Sequence, residues 1–388
     1  MLERALAALK RRTPEILQLT EAWVRVNSHS RNVVGVDRVG ELISEALQDL
    51  PLTVAKHAGD PWGTHLSFST SRAEREPSVL LIGHHDTVFP AGTFEGFRSD
   101  GARAYGPGVL DMKGGLAIVA VVLRVLHEVN ALDALPLRFI SVADEEVGSP
   151  TSRGMLEGFA KSARAALVFE AGRSGDAIVT SRRGSGFARV KAFGRAAHAG
   201  NNLADGRNAV WALSRFVDRV QVAASRLEGA SLSTGLFHGG SARNTVAENA
   251  EAELDLRFVN GLAQEDVAQL LESTARGVEG ELEGVRLEVA LTVTRRPLEA
   301  TQASSTLCRR FGACQLAAGL ASGEAPRQGG GSDANTVGAV GLPAIDGLGP
   351  RGRGYHTHDE QIEIDSLALK ADALLRFLAG ECAHSEVE

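Results

Sequence analysis

The sequence predicts an α/β fold with a largely parallel sheet, interrupted by an inserted α+β domain of ferredoxin-like order. Three observations predict it. Short continuous apolar runs alternate with helical patterns in the first half of the chain. The middle changes to strict residue-by-residue alternation. Arginine-rich segments stand at both ends of that middle part.

In the first half, Ser78 to Ile82, Leu137 to Val142 and Ala165 to Phe169 are short apolar runs, the pattern of strands buried on both faces. Between the first two lies Gly114 to Val129, with Ala, Val and Leu at helical spacing. Strand, helix, strand in succession implies a parallel layer. In the middle, Ala250, Ala252, Leu254, Leu256 and Phe258 alternate with Glu251, Glu253, Asp255 and Arg257, and Val285 to Val293 alternates too. Such strands bury one face and wet the other. With strands near Phe187 to Phe193 and Ser231 to Phe237, and helices about Asn208 to Ala224 and Ala263 to Val278, the order is β-α-β-β-α-β. Arg182 to Gly186 and Arg295 to Pro297 read as the two hinges. The expected division is 1–181 with 296–388 for the larger domain and 182–295 for the insert.

Bulk properties set bounds. The 388 residues suit one large and one smaller domain. A net charge of -7 argues against a nucleic-acid partner, which calls for a basic face. No run approaches the roughly 20 apolar residues of a membrane span, and the N-terminus lacks the unbroken apolar stretch of a secretory signal. Three cysteines, Cys308, Cys314 and Cys382, make no C-x-x-C pair and suggest no disulfide framework. The expectation is a cytoplasmic protein with no membrane partner.

The chemistry concentrates where the apolar strands end. The first runs into His84-His85-Asp86, the second into Asp144-Glu145-Glu146, the third into Glu170. Ligands in open α/β sheets gather at the carboxyl ends of strands. Asp111 lies just before the Gly114 helix, and His356 follows the run Pro343 to Leu348. Zinc takes imidazole nitrogen and carboxylate oxygen at roughly 2.0–2.2 Å. One carboxylate has two oxygens and can bridge two ions about 3.5–4 Å apart, which lowers the pKa of a shared water towards about 7. Of the adjacent Glu145 and Glu146, one can face metal while the other takes the water's proton.

His84-x-Asp86, Asp111-Met112-Lys113-Gly114-Gly115, Asp144 to Ser149, Glu170, Gly329 to Ala334 and Gly354-Tyr355-His356 occur in this order over nearly the whole chain. The set resembles the di-zinc aminoacylase/carboxypeptidase family, which includes acetylornithine deacetylase, succinyl-diaminopimelate desuccinylase, dipeptidases and, most similar, glutamate carboxypeptidase. The resemblance implies a zinc-peptidase-type catalytic domain and an inserted lid and dimerisation domain, with substrate bound in the cleft between them. It implies two Zn2+ per chain, with Co2+ or Mn2+ as possible substitutes. His84 and His356 would be terminal ligands, Asp111 the bridge, Glu146 the partner of His356 and Glu170 the partner of His84. Glu145 would be the general base for a zinc-bridging hydroxide and then the proton donor to the leaving amine. Asp86 would accept a hydrogen bond from the His84 ring, and the peptide bond after Asp111 would be cis. In the insert, His198 would stabilise the oxyanion, and Asn244 and Arg257 would contact substrate, Arg257 through a carboxylate. Gly330, Gly331 and Ser332 would offer backbone N–H groups. The implied substrate is a small peptide or an N-acyl amino acid, and the implied assembly a homodimer through the insert.

Two departures from the family pattern stand out: Leu203 replaces a frequent proline, and Ile178 occupies the region where glutamate-cleaving relatives place a lysine. A glutamate pocket is therefore not carried over, and a deacylase, a desuccinylase or a dipeptidase is the alternative. A catalytically inactive binding protein would have lost ligands, whereas all five, the base and His198 are present. Other histidines read more plainly. His85 fills a strand end, His358 yields the ligand role to His356, and His57, His65, His127 and His238 read as surface residues. Asp333 either caps a helix or touches the site.

Overall fold

A computed structural model describes residues 1–384, with side chains described to Glu381; the side chain of Cys382 lies outside the described residues. The chain divides into two compact units. The first comprises Met1–Ser181, Ala300–Arg327 and the chain from Ser332 onward; the second comprises Arg182–Glu299 and Gln328–Gly331. The far boundary thus falls four residues beyond the expected 295/296.

The first unit is built on a six-stranded sheet. Its strands are β1 (Thr53–Ala58), β2 (Thr64–Ser69), β3 (Ser78–His84), β4 (Leu137–Val142), β5 (Ala163–Val168) and a short strand Ala344–Ile345. They lie in the order β1-β2-β4-β3-β5-(344–345). β3 runs parallel to β4 and to β5, and the short strand parallel to β5, whereas β1 and β2 are antiparallel. Every residue of β3 and β4 is buried, as their unbroken apolar runs demand. The helix Gly114–Glu128 is buried from Leu116 through Leu123, which explains its apolar character all round. A second, small antiparallel sheet matters for the site. Gln361–Glu363 pairs with Arg103–Tyr105 on one side and with Gly352–Arg353 on the other. The loop between Arg353 and Gln361 is thereby delivered beside the segment that leads into Asp111.

The second unit has the order β6 (Gly184–Phe193), helix Ala209–Ala224, β7 (Ala230–Gly239), β8 (Asn249–Phe258), helix Gly261–Glu281, β9 (Arg286–Arg295). The sheet order is β9-β6-β8-β7, antiparallel throughout, the ferredoxin-like arrangement. One face of β8 buries Ala252, Leu254, Leu256 and Phe258 against Leu213, Phe216, Val267 and Leu271 of the two helices. Gly184 to Gly186 differ from the sequence reading. They open β6, where Gly184 pairs with Phe258 of β8 and Ser185 and Gly186 pair with the end of β9. A Cβ on Gly186 would stand 2.4 Å from the Thr292 carbonyl oxygen, so the glycine serves close strand approach.

His65 also departs from the reading. It is buried on β2, where the Ala143 N–H donates to its Nδ1 at 3.1 Å and its Nε2 lies 3.0 Å from the Thr151 hydroxyl. Cys308 and Cys314 are free thiols, and burial pushes Cys308 up to about 11, which leaves it unreactive. No helix among the described residues is long and apolar enough to cross a membrane.

Candidate metal centre

Two trios of potential ligands lie in the first unit and share one residue: His84, Asp111 and Glu170, and Asp111, Glu146 and His356. β3 ends on His84, β5 delivers Glu170 two residues past its end, and the turn after β4 carries Glu146. Asp111 sits in the irregular segment before the Gly114 helix, and its peptide bond to Met112 is cis. His356 stands in the loop after Arg353 with φ of 63°.

The geometry around Asp111 is directional. Its Oδ1 lies 3.2 Å from His84 Nε2, and its Oδ2 lies 3.3 Å from His356 Nε2. His84 Nε2 is 3.8 Å from a Glu170 oxygen, and His356 Nε2 is 3.2 Å from a Glu146 oxygen. Two donors about 2.1 Å from one tetrahedral ion stand about 3.4 Å apart. The residues present therefore fit a pair of divalent ions in their spacing and their nitrogen and oxygen chemistry.

The electrostatics agree. Burial opposes a charge on His84, but hydrogen bonds with Asp111 and Asp86 outweigh it and hold its pKa well above the imidazole range. Hydrogen bonds to Asp111 and then Glu146 raise His356 to about 11. Burial and then the Asp111 charge raise both Glu146 and Glu170. Burial opposes ionisation of Asp111 as well, yet hydrogen bonds from His356 and His84 keep its pKa low. Three buried carboxylates compete for protons, which is the setting a divalent cation relieves.

A layer behind the ligands holds them. His84 Nδ1–H donates to the Asp86 carbonyl oxygen at 3.0 Å and faces its carboxylate at 3.3 Å, which orients Nε2 towards Asp111. The Asp86 carboxylate also accepts the Ser30 hydroxyl at 2.7 Å and the N–H groups of Glu145 and Glu146 at 3.2 Å each. It therefore braces both trios. Sequence reasoning missed Ser30, and it missed Glu360. The buried Glu360 carboxylate accepts N–H groups from Gly108, Leu110 and Asp111 at 3.2, 2.8 and 3.0 Å. Burial and the nearby Asp111 push it up to about 8. An acid four residues after a ligand carries no signal of a partner some 250 positions away.

The remaining expected residues fall as follows. Glu145 is partly buried in the turn Glu145–Val147, next to Glu146. His85 is buried against Ser141, and burial pulls it to about 3. His358 stacks on Phe94, with ring centres 5.5 Å apart. Asp333 opens the helix Asp333–Gly338 and accepts the Ser149 hydroxyl at 2.5 Å. Ser332 is fully buried, its N–H donates to Asn335 and its hydroxyl donates to Asp346. Gly330 accepts a hydrogen bond from Arg182 on its carbonyl, and neither it nor Gly331 is fully buried.

In the second unit, the His198 and Asn244 loops meet, with Ala199 N–H donating to the Asn244 carbonyl at 2.9 Å. His198 is exposed, and its Nδ1 accepts N–H groups from Gly200 and Asn201. Arg257 on β8 is closed on Asp255 through bonds of 2.9 and 3.0 Å. Leu203 lies exposed in the turn Leu203–Asp205.

Known proteins resemble this chain in sequence and in fold. The sequence pattern of peptidase family M20/M25/M40 matches residues 80–380. Carboxypeptidase G2 of Pseudomonas sp. (strain RS-16) is 28% identical over 360 residues, covering 91% of this chain and 86% of that protein. Acetylornithine deacetylase of Edwardsiella ictaluri is 24% identical over 298 residues, covering 71% and 76%. A tripeptidase structure from Staphylococcus aureus shares the fold with a TM-score of 0.78 at 22% identity, covering 96% of this chain and 99% of its own. An M20 family metallo-carboxypeptidase from Sulfolobus solfataricus does so with a TM-score of 0.76 at 17% identity, covering 95% and 99%. Since the family pattern spans well over half of the sequence and takes in both trios, the chain belongs to peptidase family M20/M25/M40 and is one of its metal-dependent hydrolases.

Proposed function

We propose that the enzyme cleaves the amide bond of a small peptide or N-acyl amino acid, in the manner of a carboxypeptidase, with two zinc ions and with Glu145 as general base. The observation that carries this reading is the divided Asp111 carboxylate, one oxygen towards His84 and the other towards His356. Bound there, two zinc ions supply Lewis acidity and a water acidified towards a pKa of about 7.

The chain's own groups supply the rest. Asp86 fixes the His84 tautomer and anchors the Glu145-Glu146 backbone. Glu145 takes the proton of the attacking water and passes it to the departing nitrogen. The His198 ring accepts on Nδ1, which leaves an N–H on Nε2 to suit a carbonyl oxygen gaining charge. Asn244, Gly330 and Gly331 offer polar contacts to substrate, and Arg257 does so by sharing Asp255. The acetylornithine deacetylase relative keeps deacylation of an N-acyl amino acid as the second reading. We also place a homodimer on the second unit: β7 is an edge strand, with Leu236 and Phe237 exposed on it.

The test is a panel of N-acyl amino acids and dipeptides, with zinc counted per chain. Glu145→Ala is expected to keep two zinc ions and to lose about 10²–10⁴-fold in kcat. Normal turnover in that variant would exclude Glu145 as the base, and a chain that binds no zinc would exclude the whole scheme.

A further inference from the structure

We propose that Arg173 is a specificity-determining residue that binds a carboxylate group of the substrate. The inference rests on the hydrolase reading only for the position of the reacting centre.

The backbone of Arg173 is fixed. Gly172 N–H donates to the Pro350 carbonyl at 2.9 Å, and the Arg173 carbonyl accepts the Asp176 N–H at 3.1 Å. The segment from Glu170 to Arg173 is pressed onto residues 349–350. A Cβ on Gly172 would stand 2.7 Å from the Pro350 oxygen, and one on Gly349 would stand 2.6 Å from the Glu170 oxygen. Arg173 is therefore held three residues beyond the Glu170 ligand.

Its side chain, by contrast, is uncommitted. The guanidinium carbon lies 5.8 Å from the centre of the Tyr355 ring. That ring meets the His356 ring edge-on, with centres 5.6 Å apart. Arg173 Nε is enclosed and donates to nothing, and among the described residues no acid pairs with Arg173. The other half-buried arginines of this unit are engaged: Arg351 with Asp176, Arg164 with Glu381, Arg124 with Glu15. Arg257 is closed on its own Asp255. A buried Nε–H without an acceptor is costly. Its place beside the Tyr355 ring, which itself meets His356, indicates what the partner is. A centre carrying Asp111, Glu145, Glu146 and Glu170 repels an anionic substrate, and a cation near its edge offsets that. The planar fork of arginine grips both oxygens of a carboxylate. Ile178 is fully buried, so it cannot be the polar contact in this segment; Arg173 supplies a cation from the same stretch of chain.

The experiment measures binding, on zinc-loaded full-length protein carrying Glu145→Ala so that no probe is consumed. The probes are N-acetyl-L-glutamate and its two monoamides, one at the side chain and one at the α-carboxylate. Zinc per chain is counted in each variant. In this parent, one of the two amides is expected to bind about 10–100-fold more weakly than the diacid, the range for a charge-assisted contact. Adding Arg173→Ala is expected to weaken the diacid by a similar factor and to abolish that discrimination, with zinc content unchanged. Arg173→Lys recovers part of it. Three outcomes overturn the proposal: a parent that treats all three probes alike, discrimination that survives Arg173→Ala, or loss of zinc or of folding in both Arg173 variants. A wild-type chain that hydrolyses nothing would instead count against the hydrolase reading, and the binding comparison would still decide the role of Arg173.

Discussion

The two ligand trios share Asp111 and differ in almost everything else. His84 is 1% exposed, at the end of a strand paired on both sides. His356 is 48% exposed, on a loop with a left-handed backbone. Glu170 follows a strand directly, whereas Glu146 rides a short turn. One trio is thus part of the core, and the other is assembled on its rim by backbone N–H groups that donate to the Asp86 and Glu360 carboxylates. Core packing holds the first trio. The second depends on a few polar contacts that span the chain.

The largest expected effect compares the two histidines. His84→Ala and His356→Ala should each lower the zinc content and stop turnover. His84→Ala should also destabilise the metal-free protein by about 2–3 kcal/mol, because it empties a buried position and strips a hydrogen-bond donor from Asp86. His356→Ala should cost much less in the same urea titration. Equal losses would erase the distinction between core and rim.

Asp86→Asn comes next, because Asp86 braces both trios from behind, through the His84 ring and the Glu145-Glu146 backbone. Outer-shell partners of metal ligands are worth about 10–100-fold in affinity. The amide loses one acceptor oxygen among the Ser30, Glu145 and Glu146 donors. The expected outcome in a chelator competition is weaker zinc binding at both positions, and weakening confined to one would mean that Asp86 serves a single trio.

How far the sequence revealed this site follows the same division. His84 and Glu170 were legible because unbroken apolar strands end on or just before them, so burial and position could be read together. Glu146 was legible in the same way, after the run Leu137 to Val142, whereas Asp111 and His356 were legible through their ordered motifs, not through any periodicity. Glu360 and Ser30 were not legible, since a lone acid and a lone serine acquire their role only through long-range pairing. The strands β1 and β2 escaped for a related reason. Their sequences TVAKHA and THLSFS mix polar and apolar residues, and β2 buries Ser67, Ser69 and His65, which a search for apolar runs passes over. The ferredoxin-like unit was plain because alternation along β8 has period two, which only a half-buried strand satisfies.

The smallest expected effect concerns His65, a histidine that belongs to the core and to no trio. Burial lowers its pKa below the usual imidazole value, and with Nδ1 accepting the Ala143 N–H the ring is held neutral, its proton on Nε2. The unfolded chain, free of that burial, takes up a proton near pH 6.5, while the folded chain resists. Stability from this residue is therefore complete above about pH 6.5 and declines as the pH falls below it, by at most about 1.4 kcal/mol per pH unit for one proton. In urea unfolding of the metal-free protein between pH 7.5 and 5.5, His65→Asn should lose less stability on acidification than the parent, although it begins lower through its altered contacts with Thr151 and Ala143. His127→Asn, on the exposed end of a helix, should match the parent. An identical pH dependence in all three proteins would show that His65 is protonated in the folded state, and that the core around β2 is wetter than its burial implies.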